Sequence, residues 1–204
     1  CESVGVALYA LDRAGVEGGD SVVVVGPGAI GLIAVQIARA RGATNIVAVG
    51  YKDEPRLALA REFGVNATVD LGDLTDDPVP YVRNLVGGKG ADVVIEFAGT
   101  ASAVQQALLF ARRNGRVALC GNTSPGKVLE IDCSVITRGH LNIFGSVANP
   151  KWICRRGLDM IAAGQVNVNP LITHHYALEQ FGEALETFKS KTAGAYRVML
   201  HPND

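Results

Sequence analysis

An uninterrupted apolar run that leads directly into a glycine-rich turn constrains this chain more than any other feature. Residues 22–25 are four consecutive valines, and Gly26, Gly28 and Gly31 follow them. A run with no polar face is typical of a strand that is covered on both sides in a parallel sheet. The next segment, 29–40, places isoleucines and alanines on one stripe of a helix. The pattern therefore predicts a strand, a tight turn and a helix.

The same alternation continues along the chain. Strand-like segments are predicted at 21–25, 45–49, 67–70, 91–96, 115–121 and 141–147. Helical segments are predicted at 2–15, 29–40, 54–63, 76–86, 102–112 and 150–163, with a less regular stretch at 122–140. Strands separated by helices predict an α/β fold, namely a Rossmann-type, doubly wound, six-stranded parallel sheet.

Composition and charge argue against several classes of protein. The chain is 48% hydrophobic and 19% charged, which is typical of a globular protein. A net charge of -1 offers no basic surface, so we expect no nucleic-acid partner. The chain has no long uncharged apolar stretch, so we expect no membrane span. The four cysteines form no CxxC pair, and we expect reduced thiols in a cytoplasmic protein.

The glycine-rich turn matches the pattern G-x-G-x-x-G between a strand and a helix. Gly26 permits the tight turn, Gly28 lets the backbone approach a pyrophosphate, and Gly31 lets the helix and the strand pack closely. The free N–H groups at the helix start, around Ala29 and Ile30, favour a doubly negative group. The turn therefore predicts an NAD or NADP site. A turn without a ligand is the alternative, and the flanking strand and helix argue against it.

The end of the second predicted strand favours NADP. NAD sites carry an acid about twenty residues beyond the glycines, where it binds the ribose 2′-OH. Here the strand ends at Gly50, and Tyr51, Lys52 and Arg56 follow. A small residue followed by basic residues accommodates a 2′-phosphate instead. Asp53 supplies the acid if the turn is one residue longer, and a solvated turn and helix face explains the basic residues equally well.

Segments spread over nearly the whole chain form one recognisable set. They are residues 5–16, 19–20, 26–31 with 34–36, 56–64, 90–96, 115–117 and 170–174. Together they resemble the coenzyme-binding domain of the zinc-dependent medium-chain alcohol dehydrogenases, the group that includes sorbitol and threonine dehydrogenases. The resemblance implies an NAD(P)-dependent enzyme that transfers hydride between an alcohol and the cofactor, with zinc polarising the alcohol oxygen.

The resemblance implies further cofactor contacts beyond the ends of the later strands. Residues 97–99 would lie beside the two ribose groups, residues 120–121 near the nicotinamide, and residues 144–146 against its carboxamide. The side chain of Arg197 would reach the pyrophosphate. The residues of the three loops are Phe97, Ala98, Gly99, Cys120, Gly121, Phe144, Gly145 and Ser146. Ordinary turn and strand packing is the alternative for each, although ligands of such sheets do lie beyond the carboxyl ends of the strands.

The resemblance also implies a zinc site that this chain does not complete. A catalytic zinc takes three protein ligands and keeps one open position. The cysteine and the His-Glu pair of the family's catalytic domain have no counterpart here, and only Cys1 or Glu2 corresponds to a third ligand. We therefore expect Cys1 to be a metal ligand in a full-length parent, no zinc in this chain, and no catalytic residue within it.

The domain prediction follows from the fold and the resemblance. Residues 1–164, with a leading helix at 1–16, are predicted to form the dinucleotide-binding domain. Residues 165–204 are predicted to form a helix-strand appendage, with an extended segment at 170–174, that returns toward an absent catalytic domain. The first residue is Cys1 rather than Met, which agrees with a piece of a longer protein.

We expect a homodimer that pairs through the edge strand at 141–147, and an alcohol or carbonyl compound as the substrate of the parent. The isolated chain is expected to be inactive. Three alternatives stay open. They are a zinc-free quinone or enoyl reductase of the same superfamily, a nucleotide-binding module without catalysis, and a methyltransferase that binds S-adenosylmethionine. The reductases usually show Ala-Ala-Gly-Gly in the loop, which differs from the sequence here.

Overall fold

Helices and strands alternate along the chain. The computed structural model describes residues 1–122, 126, 128–148, 150–190 and 194–203. The helices are α1 Glu2–Ala14, α2 Ala29–Ala40, α3 Glu54–Glu62, α4 Pro78–Leu85, α5 Ala101–Phe110, α6 Cys133–Gly139, α7 Lys151–Ala162 and α8 Phe181–Ser190. The strands are β1 Ser21–Val25, β2 Asn45–Gly50, β3 Ala67–Asp70, β4 Ala91–Glu96, β5 Ala111–Leu119, β6 Asn142–Gly145, β7 Ile172–Ala177 and β8 Arg197–His201. Within these ranges, no helix has the length and apolar character that crossing a bilayer requires.

Six of the strands form one parallel sheet in the order β3-β2-β1-β4-β5-β6. Strand β1 lies between β2 and β4, and Val23 is in register with Val47 on one side and with Val94 on the other. The predicted Rossmann-type, doubly wound, six-stranded sheet is therefore confirmed. The order reverses beside β1, which is the place where such sheets bind their ligands.

Successive side chains along β1 point to opposite faces of the sheet, so its valines belong to two separate hydrophobic cores. Val22 and Val24 pack with α1 and α2 on one face of the sheet, whereas Val23 and Val25 pack with α4 and α5 on the other. All four valines are 3% exposed or less. The absence of a polar face in this strand is therefore explained, because helices cover both of its sides.

Local signals explain where several helices begin and end. Asp77 caps α4, since its carboxylate accepts the N–H of Val79 at 2.9 Å, and Pro78 takes the first helical position. The hydroxyl of Thr100 accepts the N–H of Ala103 at the start of α5. These caps satisfy donors that a helix leaves without an internal partner.

The C-terminal residues form a second, two-stranded parallel sheet of β7 and β8, with α8 packed against it. The segment predicted as extended at 170–174 thus contributes to a paired strand, so the appendage contains two strands and a helix. The appendage is tied to the main domain through Gln36, whose amide accepts the N–H of Asn167 at 2.7 Å and donates to its carbonyl at 3.2 Å. Val166 and Leu171 are buried in the core beneath α2.

The predicted boundary between α5 and β5 is wrong. The helix predicted at 102–112 ends at Phe110, and the strand begins at Ala111 rather than at residue 115. Ala111 pairs with Ala91, and pairing resumes only at Arg116 after an irregularity. The contacts that accompany this early strand start are distant in sequence, because Ala111 pairs with Ala91 and Arg112 Nε donates to Asp92 Oδ1 at 2.6 Å.

Two other predicted segments also differ from the structure. The stretch at 122–140 contains helix α6, which Asp132 caps by accepting the N–H of Ser134 at 2.8 Å. Residues 123–125 and 127 of the stretch at 122–140 lie outside the described residues. The helix of the predicted appendage begins as the 3-10 turn Leu178–Gln180 before α8.

Candidate cofactor-binding site

A cleft of about 870 Å³ opens at the carboxyl ends of β1, β2 and β4. This volume lies within the range of cofactor sites. Seven of the residues predicted to bind cofactor line the cleft: Gly26, Gly28, Gly50, Tyr51, Arg56, Phe97 and Ala98. The structure therefore brings together the glycine-rich turn, the end of the second strand and the loop after the fourth.

The three glycines of the turn have different environments. Gly26 has a φ of +90°, and an added Cβ would lie 2.8 Å from the nitrogen of Ala98. A Cβ on Gly31 would overlap the carbonyl oxygen of Gly26. A Cβ on Gly28 would meet no described atom within 4 Å. Gly26 and Gly31 are thus needed for the turn and its packing, whereas Gly28 faces the open cleft.

Helix α2 begins beside this cleft, because its N-cap Gly28 lines the cleft whereas the predicted residues Ala29, Ile30 and Gly31 do not. No described side chain caps the start of this helix. The N–H groups of Ala29, Ile30 and Gly31 have no acceptor within their own helix, because an α-helix leaves its first donors unpaired. They also lie at the positive end of the helix dipole. Together with the uncovered backbone at Gly28, these donors fit a pyrophosphate.

Asp70, at the end of β3, fixes the loop that follows β2. Its carboxylate accepts the N–H groups of Lys52 at 2.7 Å, Asp53 at 3.0 Å and Gly72 at 2.8 Å. Burial raises the pKa of Asp70, but these backbone hydrogen bonds and the charge of Lys52 outweigh it, so that the pKa lies below its usual value. Lys52 itself has a φ of +50°, and its ammonium lies 5.6 Å from the centre of the Tyr51 ring, outside the lining of the cleft.

Asp53 and Arg56 form an ion pair on the wall of the cleft. Arg56 Nη1 donates to Asp53 Oδ2 at 2.5 Å, and both residues line the cleft. The Cζ of the guanidinium also lies over the Tyr196 ring, 5.0 Å from its centre, and Nη2 donates to the carbonyl oxygen of Ala195 at 3.5 Å. Its Nε is buried and has no hydrogen-bond partner among the described residues.

The loops after β4 and β5 are held together by a buried acid. Glu96 is 0% exposed, and its Oε1 accepts the N–H of Gly99 at 2.6 Å. A Cβ on Gly121 would overlap the backbone of Gly99 and come within 2.7 Å of Glu96 Oε2. Burial raises the pKa of Glu96, and the backbone N–H groups of Gly99, Ala98 and Gly121 near the carboxylate oppose this shift.

The residues predicted near the nicotinamide cluster around this acid rather than in the cleft lining. Burial raises the pKa of the Cys120 thiol to about 12; the charge of Glu96 adds to this, and the nearby side chain of Ser146 opposes it. Ser146 is buried, and its N–H donates to Leu119 at 2.9 Å. Phe144 and Gly145 lie in the edge strand β6.

Arg197 and Cys1 lie apart from the cleft lining. Arg197, on β8, donates through Nη2 to the hydroxyl of Ser3 at the start of α1. Cys1 is exposed and precedes the same helix. In the described part of the chain, no three His, Cys, Asp or Glu residues are placed to hold a metal together. The donor set here does not fit a zinc ion by itself, because a catalytic zinc takes three protein ligands.

Other residues complete the cleft without having been predicted from sequence. They are Val25, Pro27, Val49, Leu71, Leu74, Asp76, Pro78, Thr100, Ser102, Ala103 and Gln106, together with Asp53, which the sequence indicates only as an alternative acid. Residues 71–78 follow β3 and lie at the same edge of the sheet as the glycine-rich turn. That position, beyond the carboxyl end of a strand, is a signal that points to the site.

Comparisons with known proteins agree with this architecture. The family model described as zinc-binding dehydrogenase matches residues 29–163. Sorbitol dehydrogenase of Halalkalibacterium halodurans is 30% identical over 203 residues, which cover 100% of this chain and 58% of that protein. L-threonine 3-dehydrogenase of Symbiobacterium thermophilum is 36% identical over 187 residues, covering 90% of this chain and 51% of that protein.

A solved structure, described as a putative zinc-binding dehydrogenase from Sinorhizobium meliloti bound to NADP, superposes with a TM-score of 0.87 at 31% identity. It covers 99% of this chain, which in turn covers 58% of that structure. The chain thus spans about half the length of the relatives that it matches. The chain therefore belongs to the zinc-binding dehydrogenases of the medium-chain alcohol dehydrogenase family and comprises their coenzyme-binding domain.

Proposed function

We propose that this chain binds NADP or NAD in the cleft and forms the coenzyme half of an enzyme that transfers hydride between an alcohol and the cofactor. The observation that carries the proposal is the start of α2, where the open backbone of Gly28 lines the cleft and no described side chain caps the N–H groups that follow it. A bound nicotinamide dinucleotide would supply the hydride chemistry. The residues of this chain would bind and orient it.

The proposed contacts follow the elements of the site. Gly26 and Gly28, with the first turn of α2 at 29–31, bind the pyrophosphate. Residues 97–99 bind the ribose groups, and residues 120–121 and 144–146 bind the nicotinamide end. Arg197 reaches the pyrophosphate once it leaves the hydroxyl of Ser3. We place no catalytic residue in this chain.

NADP is favoured over NAD by the end of β2. Gly50 offers no acid there, and Arg56 brings a guanidinium to the cleft wall, with Lys52 on the same loop. Guanidinium groups bind phosphates strongly. The solved relative from Sinorhizobium meliloti, described as bound to NADP, supports this preference. The carboxylate of Asp53, on the same wall, opposes the preference for NADP.

We propose that the longer parent is a cytoplasmic zinc enzyme that acts on an alcohol or carbonyl compound. Cys1 then contributes one zinc ligand, and an upstream segment contributes the others. Residues 1–164 are the dinucleotide-binding domain, and residues 165–204 return to the catalytic domain. Strand β6 pairs with its copy in a homodimer. Its edge position and the exposed Ile143 support this pairing.

Titration calorimetry of the purified chain against NADP, NAD and S-adenosylmethionine tests the binding proposal. We expect heat from the two nicotinamide cofactors and none from S-adenosylmethionine. Binding of S-adenosylmethionine alone would favour a methyltransferase and overturn the proposal. A turnover assay with alcohols separates the roles of the domains, because zinc-dependent oxidation by the isolated chain would contradict the placement of catalysis in the absent domain.

A further inference from the structure

We infer that Asp53 sets the choice between NADP and NAD by holding Arg56 and placing a negative charge beside the adenosine ribose. This inference rests on the proposed function and deepens it. The acid lies three residues beyond Gly50, where the strand ends, so it occupies a different position from the acid that NAD sites carry at the strand end.

The ion pair is restrained on both sides. Asp53 Oδ2 accepts a hydrogen bond from Arg56 Nη1 at 2.5 Å. The backbone N–H of Asp53 donates to the carboxylate of Asp70 at 3.0 Å. The Cζ of the same guanidinium lies over the ring of Tyr196, 5.0 Å from its centre. The Asp53 and Arg56 side chains are only 24% and 15% exposed. Water therefore screens this pair less than it screens an exposed pair, and its charges act strongly on a neighbouring ligand.

The two charges of the pair act in opposite directions on the two cofactors. The 2′-phosphate of NADP adds about two negative charges at neutral pH. Arg56 attracts that phosphate, whereas Asp53 repels it and already occupies one guanidinium donor. NAD has ribose hydroxyl groups in this place, and a carboxylate accepts hydrogen bonds from them. Asp53 thus favours NAD and limits the preference for NADP that Arg56 creates.

The other charges near this wall have different partners. Asp70 is occupied by the backbone N–H groups of the loop, and Lys52 lies beside Tyr51. Asp76 also lines the cleft, but Arg56 pairs with Asp53. Glu54, the next residue along the chain, pairs with Arg61 and does not line the cleft. Glu54 therefore offers a control with the same change of charge one residue away.

The experiment compares the dissociation constants of NADP and NAD for the wild-type chain, Asp53→Asn and Glu54→Gln by titration calorimetry at low salt. Asp53→Asn is expected to tighten NADP about tenfold, to leave NAD unchanged or weaker, and to lose this gain at high salt. Glu54→Gln is expected to change the ratio of the two constants by less than about twofold. Asn and Ser both suit the N-cap position of α3, so Asp53→Ser serves as a second variant.

The possible failures are distinguishable. An unchanged ratio in both Asp53 variants, with both cofactors still bound, would overturn this inference and leave the binding site intact. An equal shift in Glu54→Gln would also overturn it, because the effect would then be that of net charge alone. A wild-type chain that binds neither cofactor would overturn the proposed function itself, and this inference with it.

Discussion

The carboxylate of Glu96 accepts the backbone N–H of Gly99, with 2.6 Å between Oε1 and the nitrogen. Its other oxygen is buried without a hydrogen-bond partner among the described residues and lies 2.7 Å from the position that a Cβ on Gly121 would take. One acidic side chain therefore joins the loops after β4 and β5. Both loops carry residues that we propose to contact the cofactor.

We predict that Glu96→Gln changes how stability depends on pH. The folded pKa of Glu96 lies above its usual value of 4.5 because of burial, so the ionised form costs stability. The stabilisation by protonated Glu96 is fully present below the usual pKa of 4.5 and is lost as pH rises through the folded pKa. Relative to the wild type, the glutamine variant should gain stability as pH rises from about 4 to about 8. Urea denaturation across this range tests it, and a constant difference would contradict the prediction.

The thiol of Cys120 is predicted to resist alkylation. Burial raises its pKa to about 12, so almost none of the reactive thiolate exists at mildly alkaline pH. Cys1 and Cys133 are exposed. Iodoacetamide should therefore label these two residues first, as peptide mass spectrometry of a time course would show. Equal labelling of Cys120 in the folded chain would contradict its burial beside Glu96.

Asp92→Asn is predicted to destabilise the chain in a pH-dependent way. Burial alone would raise the pKa of Asp92, but the hydroxyl and N–H of Ser21 and the guanidinium of Arg112 lower it to about 2. The stabilisation is therefore present above the usual value of 3.8 and is lost as pH falls toward about 2. We expect a loss of about 1–2 kcal/mol near neutral pH, allowing for partial exposure. Denaturant unfolding at neutral and acidic pH measures it, and an equal loss at both would contradict this account.

Ile143→Lys is predicted to convert the proposed dimer into a monomer. Ile143 lies on the edge strand β6 and is 37% exposed. A lysine there opposes the pairing of two edges. Light scattering after size-exclusion chromatography measures the mass, with Leu158→Lys on α7 as the control. A monomeric wild-type chain, or a dimer that survives Ile143→Lys, would contradict pairing through β6.

Much of the fold could be predicted because its signals are local. The valines of β1 and the glycines after them mark a buried strand and a turn within ten residues of sequence. The boundary of β5 could not be predicted, since it involves the pairing of Ala111 with Ala91 and the contact of Arg112 with Asp92, on a neighbouring strand twenty residues earlier in the chain. The pairing of β7 with β8 depends in the same way on residues that are distant in sequence.

The candidate site likewise contains one part with a local signal in the sequence and other parts that depend on contacts distant in sequence. The glycine-rich turn carries its own pattern, and it lines the cleft as the sequence predicted. Glu96 carries no pattern, because its importance comes from the backbone donors of separate loops that fold around it. The partnership of Arg56 with Tyr196 joins residues 140 positions apart, and only the folded chain reveals it.

The affinity of Gly28→Ala for NADP, measured beside the wild type by titration calorimetry, tests the central claim most directly. An alanine Cβ at Gly28 meets no described atom within 4 Å, so the variant should fold with unchanged stability. The same Cβ would stand where the backbone must approach the pyrophosphate, so we predict that NADP binds at least about tenfold more weakly. A stable Gly28→Ala chain that binds NADP as tightly as the wild type would contradict a dinucleotide site at this turn.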